Sequence, residues 1–325
     1  MKRIFIIGDV HWKERPYSLG LDKLFDYWAE NFSNNVFIFT GDFFDTSRPH
    51  WLTFTKAVKK LKALKSEIHI VQGNHDLYHN VGSALEPLRE YGFNVYSEQT
   101  EVIIEGIPFL FLPHTDAKTM VKYSDIEYKD GIIVTHFAPP GSNWGIGELD
   151  LPLVENCIIV HGHIHVPDHD RRKWNNNIEH ILGVPQTTRQ GEEGMTKYMC
   201  EVLSKTEVKM LPLPVFFDIF DVKYGDQLDF KDVISLIRVS NAPSEEAVYE
   251  MYSDFYIKED EITVVTKEVT LQNLEDIKKE NGQALDPLIA QWVEENNPDK
   301  GAMSRLYNAI TRVRKASEEI ALPVE

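Results

Sequence analysis

Five short apolar runs in this chain each end in the same chemistry, and that order constrains the fold more than any other feature. Ile4–Ile7 runs into Gly8-Asp9-Val10-His11, and Val36–Thr40 into Gly41-Asp42-Phe43-Phe44-Asp45. Ile68–Val71 precedes Gly73-Asn74-His75-Asp76, Ile132–Thr135 precedes His136, and Cys157–Val160 precedes His161-Gly162-His163-Ile164-His165. These runs, and a sixth at Ile107–Leu112, are rich in Ile, Val and Phe, the pattern of strands buried on both faces. Between the first two lie Leu21, Leu24, Phe25, Trp28 and Phe32 at helical spacing. Between the second and third lie Trp51, Phe54, Val58, Leu61 and Leu64, with Lys56, Lys59, Lys60, Lys62 and Lys65 mostly off the stripe. The alternation predicts an α/β fold.

In open α/β sheets, ligands collect beyond the carboxyl ends of the strands. Carboxylate, imidazole and amide groups at five such ends therefore predict one shared site. Side chains alternate faces along an extended segment, so Asp9 and His11 point the same way, as do His163 and His165. Glycine before Asp9, Asp42, Asn74 and His163 lets the backbone turn sharply beneath a ligand. Mixed imidazole and carboxylate donors suit Mn²⁺, Fe²⁺ or Zn²⁺ better than Ca²⁺, which prefers oxygen alone.

The ordered set Asp9-x-His11, Gly41-Asp42-x-x-Asp45, Gly73-Asn74-His75-Asp76, His136 and Gly162-His163-x-His165 resembles the calcineurin-like metallophosphoesterases. The resemblance implies a layered sandwich of mixed β-sheets flanked by helices, and two divalent ions, Mn²⁺ foremost, with Mg²⁺, Fe²⁺ or Zn²⁺ as alternatives. It gives one metal Asp9, His11, Asp42 and His165, and the other Asp42, Asn74, His136 and His163. His75 becomes the proton donor, held by Asp45.

Phosphoprotein phosphatases carry Arg-Gly after the second aspartate of the second motif and Glu after the histidine of the third; here Thr46-Ser47 and Asp76 stand there. The run Gly41 to Pro49, Gly162-His-Ile-His-Val-Pro167, and Pro185-Gln186 within Gly183 to Gly191 resemble instead the SbcD-type nucleases of break-repair complexes. That narrower resemblance implies a DNA exo- or endonuclease acting on single- and double-stranded DNA, an SbcC-type ATPase partner and a homodimer joined near Trp51 and Phe54. One departure is Trp12-Lys13 after His11, where Leu-Gly is common.

The expected organisation is a nuclease domain over residues 1–213, a small α+β cap over 214–269 and a helical tail over 270–325. In the first, strands at Ile178–Leu182, Lys197–Leu203 and Glu207–Leu211 read as an antiparallel addition. In the cap, helices are expected near Lys231–Ile237 and Ser244–Tyr252, and a strand at Ile262–Thr266. In the tail, Met303, Leu306, Ile310, Val313, Ser317 and Ile320 fall near a heptad seam, as able to pack on its own domain as on a partner.

Composition weighs against part of this. With 34 basic and 51 acidic residues the net charge is −17, the wrong sign for holding nucleic acid by bulk electrostatics. A small-substrate phosphodiesterase, acting on a nucleotide or lipid-linked ester, is the alternative this charge favours; a non-catalytic scaffold for an ATPase is a third. Two cysteines, Cys157 and Cys200, form no disulfide framework and imply a reducing, cytoplasmic setting. The N-terminal apolar run is too short for a signal peptide, and no run nears the ~20 residues of a membrane span.

Among the other histidines, His161 shares the alternation of His163 and His165 and either supports the site or is plain core. His114 reads as a strand-end cap, and His50, His69, His79, His169 and His180 as surface or polar-core residues. Arg171-Arg172-Lys173 is either a phosphate-contacting loop or an exposed turn.

Overall fold

The computed structural model describes residues 1–257 except 15, 79–81, 116–121, 142–147, 170–172, 190 and 229–232. The chain divides into two units, Met1–Val264 and Val265–Glu325. The expected strand at Ile262–Thr266, the heptad-like tail and Arg171-Arg172 lie outside the described residues.

Two six-stranded mixed sheets form the body of the first unit. One runs Glu207–Leu213, Lys197–Ser204, Ile4–Ile7, Val36–Phe39, Glu67–Val71, Asn94–Tyr96, and the other runs Lys173–Trp174, Asn177–Ile181, Ile158–His161, Ile132–Thr135, Ile107–Leu112, Thr100–Ile104. The alternation of side chains along each strand sorts the core into layers. Ile4, Ile6, Val36 and Ile38 pack with Phe109, Phe111, Ile132 and Val134 between the sheets. Phe5, Ile7, Phe37 and Phe39 turn the other way, onto Leu21, Leu24, Phe25 and Trp28 of helix Tyr17–Asn31 and Val58 and Leu61 of helix Trp51–Ala63. Ile133 and Ile159 face a third cluster with Phe137 and Leu149. Cys157 and Cys200 are buried free thiols in separate clusters. Phe54 lies partly in the core, its ring stacked on Phe44 at 5.7 Å, while Trp51 is 66% exposed.

Register places the functional loops. Ile7 pairs with Phe39, and Phe39 with Ile70, all in parallel, so the loops beginning at Gly8, Gly41 and Gly73 leave one edge side by side. In the second sheet Thr135 pairs with His161, again in parallel, which sets His136 beside the loop carrying His163.

Two expectations need correction. Of the three strands expected as an antiparallel addition, Lys197–Ser204 and Glu207–Leu213 add antiparallel, whereas Asn177–Ile181 joins Ile158–His161 in parallel. The expected helix near Lys231–Ile237 is, where described, the strand Ile234–Ser240, parallel to Phe217–Lys223. Five consecutive positions of that strand are buried, because it is the middle strand of a three-stranded sheet completed by Tyr256–Ile257. The second expected helix forms at Glu245–Met251, where Ser244 caps Ala247 N at 3.2 Å. Among the described residues no helix is long and apolar enough to cross a membrane.

Candidate metal centre

The strand-end residues converge into two neighbouring groups. Asp9, His11 and His165 offer ligand atoms all within 4.8 Å of one another, and so do Asp42, His136 and His163. Asp42 joins them: its Oδ2 lies 3.6 Å from His11 Nε2 and 3.3 Å from His136 Nε2. Asn74 Oδ1 lies 3.0 Å from His136 Nε2 and 2.9 Å from His163 Nδ1. All seven residues expected from sequence to hold metal are thus drawn to one place, and all but Asn74 and His163 are buried.

The backbone bends to achieve this. His11, Asp42 and His163 have φ of 47°, 44° and 73°, a left-handed region that L side chains seldom occupy. Such strain persists only where the surroundings over-determine it, and it gathers at functional sites. The glycines leave room: a Cβ on Gly73 would lie 2.1 Å from Asp42 Oδ1, and one on Gly162 would lie 2.6 Å from Asp9 Oδ1.

Carboxylates and imidazoles act strongly on one another in this buried site. Burial alone would raise the Asp42 pKa, yet the imidazoles of His136, His11 and His75 hold it well below the usual carboxylate range. Burial works against a charged His136 as well, but Asp42 and Asp9 overcome it and push its pKa up to about 9. Burial, followed by the charge of His136, pushes His163 down to about 4. Asp9 Oδ2 is buried without a hydrogen-bond partner among the described residues, and His11 Nε2 meets His165 Nε2 at 2.9 Å. An orphaned carboxylate oxygen beside two converging imidazole nitrogens is what a divalent cation would satisfy. The donor set therefore fits metal.

His75 sits at the exposed rim, with its ring 4.9 Å from that of His11. Its main-chain N donates to Asp42 Oδ1 at 2.8 Å. Asp45 holds it, though not by the carboxylate: His75 Nδ1 donates to the Asp45 main-chain carbonyl at 2.8 Å. The Asp45 carboxylate instead lies 3.2 Å from His11 Nδ1 and 3.7 Å from Lys13 Nζ.

Two further carboxylates belong to the site: Asp76, which stands in the third motif without an assigned role, and Glu192, which no motif includes. Glu192, 2% exposed, contacts His165 Nδ1 through Oε1. Burial opposes its charge, but the contact with His165 and the donors of Thr188 hold its pKa down at about 2. Asp76 is fully buried and accepts from the main-chain N of Gly73, Phe43 and Phe44 at 2.9, 3.3 and 3.1 Å. It ties the second strand-end loop to the third, and burial together with the Asp42 charge pushes its pKa up to about 6. Its place in the Asn-His-Asp motif is a usable signal. Glu192 offers none, since it follows a loop without periodicity.

The remaining histidines split. His161 is buried with Nδ1 3.0 Å from the Phe137 carbonyl, and His114 stacks 6.3 Å from His163. His69 is buried polar core, and His50 caps helix Trp51–Ala63.

The sequence matches the Metallophos family, described as calcineurin-like phosphoesterase, over residues 2–167, just over half of the chain. The chain belongs to the calcineurin-like phosphoesterase family, whose members are metal-dependent hydrolases. A search of curated proteins gives no match. Among solved structures, a novel archaeal phosphodiesterase is similar at 14% identity and a TM-score of 0.37, covering 65% of this chain and 99% of that one. A conserved phosphoesterase-like protein from Streptococcus pneumoniae gives 15%, 0.32, 65% and 97% for the same measures. A 5'-nucleotidase precursor from Thermus thermophilus gives 14%, 0.36, 65% and 54%.

Proposed function

We propose that this chain is a two-metal DNA phosphodiesterase, the nuclease subunit of an SbcCD-like recombination and repair complex, working with Mn²⁺. The observation that carries the reading is the single Asp42 carboxylate oxygen set between His11 and His136. Asp9, His11, Asp42 and His165 would hold one ion, and Asp42, Asn74, His136 and His163 the other. Two such ions, when bound, lower the pKa of a water and neutralise phosphate oxygens.

The chain's own residues supply the rest. With Nδ1 engaged by the Asp45 carbonyl, His75 exchanges its proton at Nε2. From the rim that atom can pass a proton to a departing oxygen, a contribution of about 10²–10⁴-fold. An exposed proton donor leaves room for a polymer to lie across the site. The motif runs Gly41 to Pro49 and Gly162 to Pro167 favour the nuclease branch. Trp51 and Leu52, 66% and 55% exposed, offer an apolar face for the proposed homodimer, and an SbcC-type ATPase is the proposed partner.

The alternative is a phosphodiesterase for a small nucleotide or lipid-linked ester, favoured by the net charge of −17. Incubation with Mn²⁺ and end-labelled single- and double-stranded DNA, with and without the ATPase, separates them. The nuclease reading expects DNA products that vanish with chelator. Hydrolysis of bis-p-nitrophenyl phosphate with no DNA cleavage, even beside the ATPase, selects the alternative.

A further inference from the structure

Glu192 lies outside the matched family segment, which ends at residue 167, yet it reaches the heart of the site. Its carboxylate is fixed from several directions. It accepts from Thr188 N at 2.7 Å, Thr188 Oγ1 at 3.0 Å, Arg189 N at 3.2 Å and Arg189 Nε at 3.1 Å. Its main-chain oxygen accepts from Lys197 Nζ at 2.8 Å, and that lysine is 1% exposed. The remaining contact runs from Oε1 to His165 Nδ1.

A carboxylate so surrounded by donors can only accept from the imidazole. The proton of neutral His165 must then sit on Nδ1, and Nε2 is left with a lone pair. Nε2 is the atom that faces His11 Nε2 at 2.9 Å and Asp9 Oδ2 at 3.9 Å. In the other half of the site, the His136 Nδ1 contact at hydrogen-bond distance is the neutral Thr40 carbonyl, at 3.0 Å, with Asp9 Oδ1 farther off at 3.7 Å.

We propose that Glu192 is a positioning residue for metal: it locks His165 in the Nδ1–H tautomer and so sets the affinity of the Asp9, His11 and His165 half of the site. The inference rests on the two-metal reading above. Partners of this kind, acting behind a ligating imidazole, are worth about 10–100-fold in metal affinity. Glu192→Gln removes the anion at nearly constant volume. If the amide nitrogen turns toward the ring, the tautomer reverses and Nε2 is blocked.

The test titrates Mn²⁺ into the chelator-stripped full-length chain by calorimetry, with electron paramagnetic resonance to detect a spin-coupled ion pair. Wild type is expected to bind two ions and show the coupled signal. Glu192→Gln is expected to keep one ion at wild-type affinity and bind the other about 10–100-fold more weakly. Glu192→Asp, which keeps the anion, is expected to fall between them, and His165→Ala to mimic the worst case. Two ions bound by Glu192→Gln at wild-type affinity would overturn the role of Glu192 alone, whereas a wild type that binds no ion pair overturns the two-metal reading. Nitrogen-15 spectra of the His165 ring in the metal-free wild type add a test without any variant. A protonated Nδ1 supports the proposal, and an unprotonated one overturns it.

Discussion

His11 Nε2 and His165 Nε2 face each other across 2.9 Å although 154 residues separate them in the chain. An N–H···N hydrogen bond would account for that distance but leaves the buried Asp9 Oδ2 without a hydrogen-bond partner among the described residues. A shared cation explains the arrangement, because each nitrogen can then direct its lone pair at the same positive charge. Binding to the folded chain alone stabilises it by mass action, about 2.7 kcal/mol at a hundred times Kd. Melting curves with Mn²⁺ and with chelator should therefore differ by several degrees, the metal form being higher. Coincident curves across a wide range of Mn²⁺ would contradict the account.

His75 bonds Asp42 through its main-chain N and meets His11 by an edge-on ring contact at 4.9 Å, so removing its ring takes away none of the candidate ligand atoms. His75→Ala is expected to retain both ions and lose about 10²–10⁴-fold in turnover of bis-p-nitrophenyl phosphate. Metal analysis and kinetics on one sample check both halves. Unchanged turnover with full metal content removes His75 from proton transfer.

Gly73 tests how tightly the loops are fitted. A Cβ there would lie 2.1 Å from both the main-chain N and Oδ1 of Asp42, so Gly73→Ala must displace the residue that joins the two halves. A misplacement on the order of 1 Å at a reacting centre can cost about 10²-fold. The variant is expected to fold, as circular dichroism would show, with metal content and turnover both depressed. Wild-type activity would mean that Asp42 does not govern the site.

Most of what positions the site is legible in the sequence, because the Gly-Asp, Gly-Asn and Gly-His junctions sit where apolar strands stop. Ile4–Ile7 and Ile132–Thr135 fall on their expected bounds. The strand Ile234–Ser240 reads as part of a helix because Ser235, Leu236, Ile237, Arg238 and Val239 are all buried in it, and a short run buried on both faces shows no period of two. Asp45 illustrates another limit: sequence order places it near His75, but only the fold turns its carbonyl to His75 and its carboxylate to His11. Glu192 reaches His165 across 27 residues through a tertiary contact that no local pattern encodes.

His69 gives a pH-dependent signature remote from the site. It is 4% exposed, with Nδ1 2.8 Å from Tyr96 Oη and Nε2 3.1 Å from Glu67 Oε1. Burial lowers its pKa below the ordinary 6.5, outweighing the pull of Glu67. As pH falls past 6.5 the unfolded chain takes up this proton before the folded one does. The His69 contribution is thus full above that value and is lost as pH drops toward the lower folded-state pKa. Urea midpoints at about pH 7.5 and about pH 5.5 should fall further for wild type than for His69→Gln. Equal falls in the two proteins would contradict the assignment.

The most direct test is anomalous diffraction from crystals soaked in Mn²⁺. The account predicts two peaks about 3.5–4 Å apart, one among Asp9, His11 and His165, the other among Asn74, His136 and His163, with the Asp42 carboxylate touching both. A single peak, or none at these residues, would contradict it.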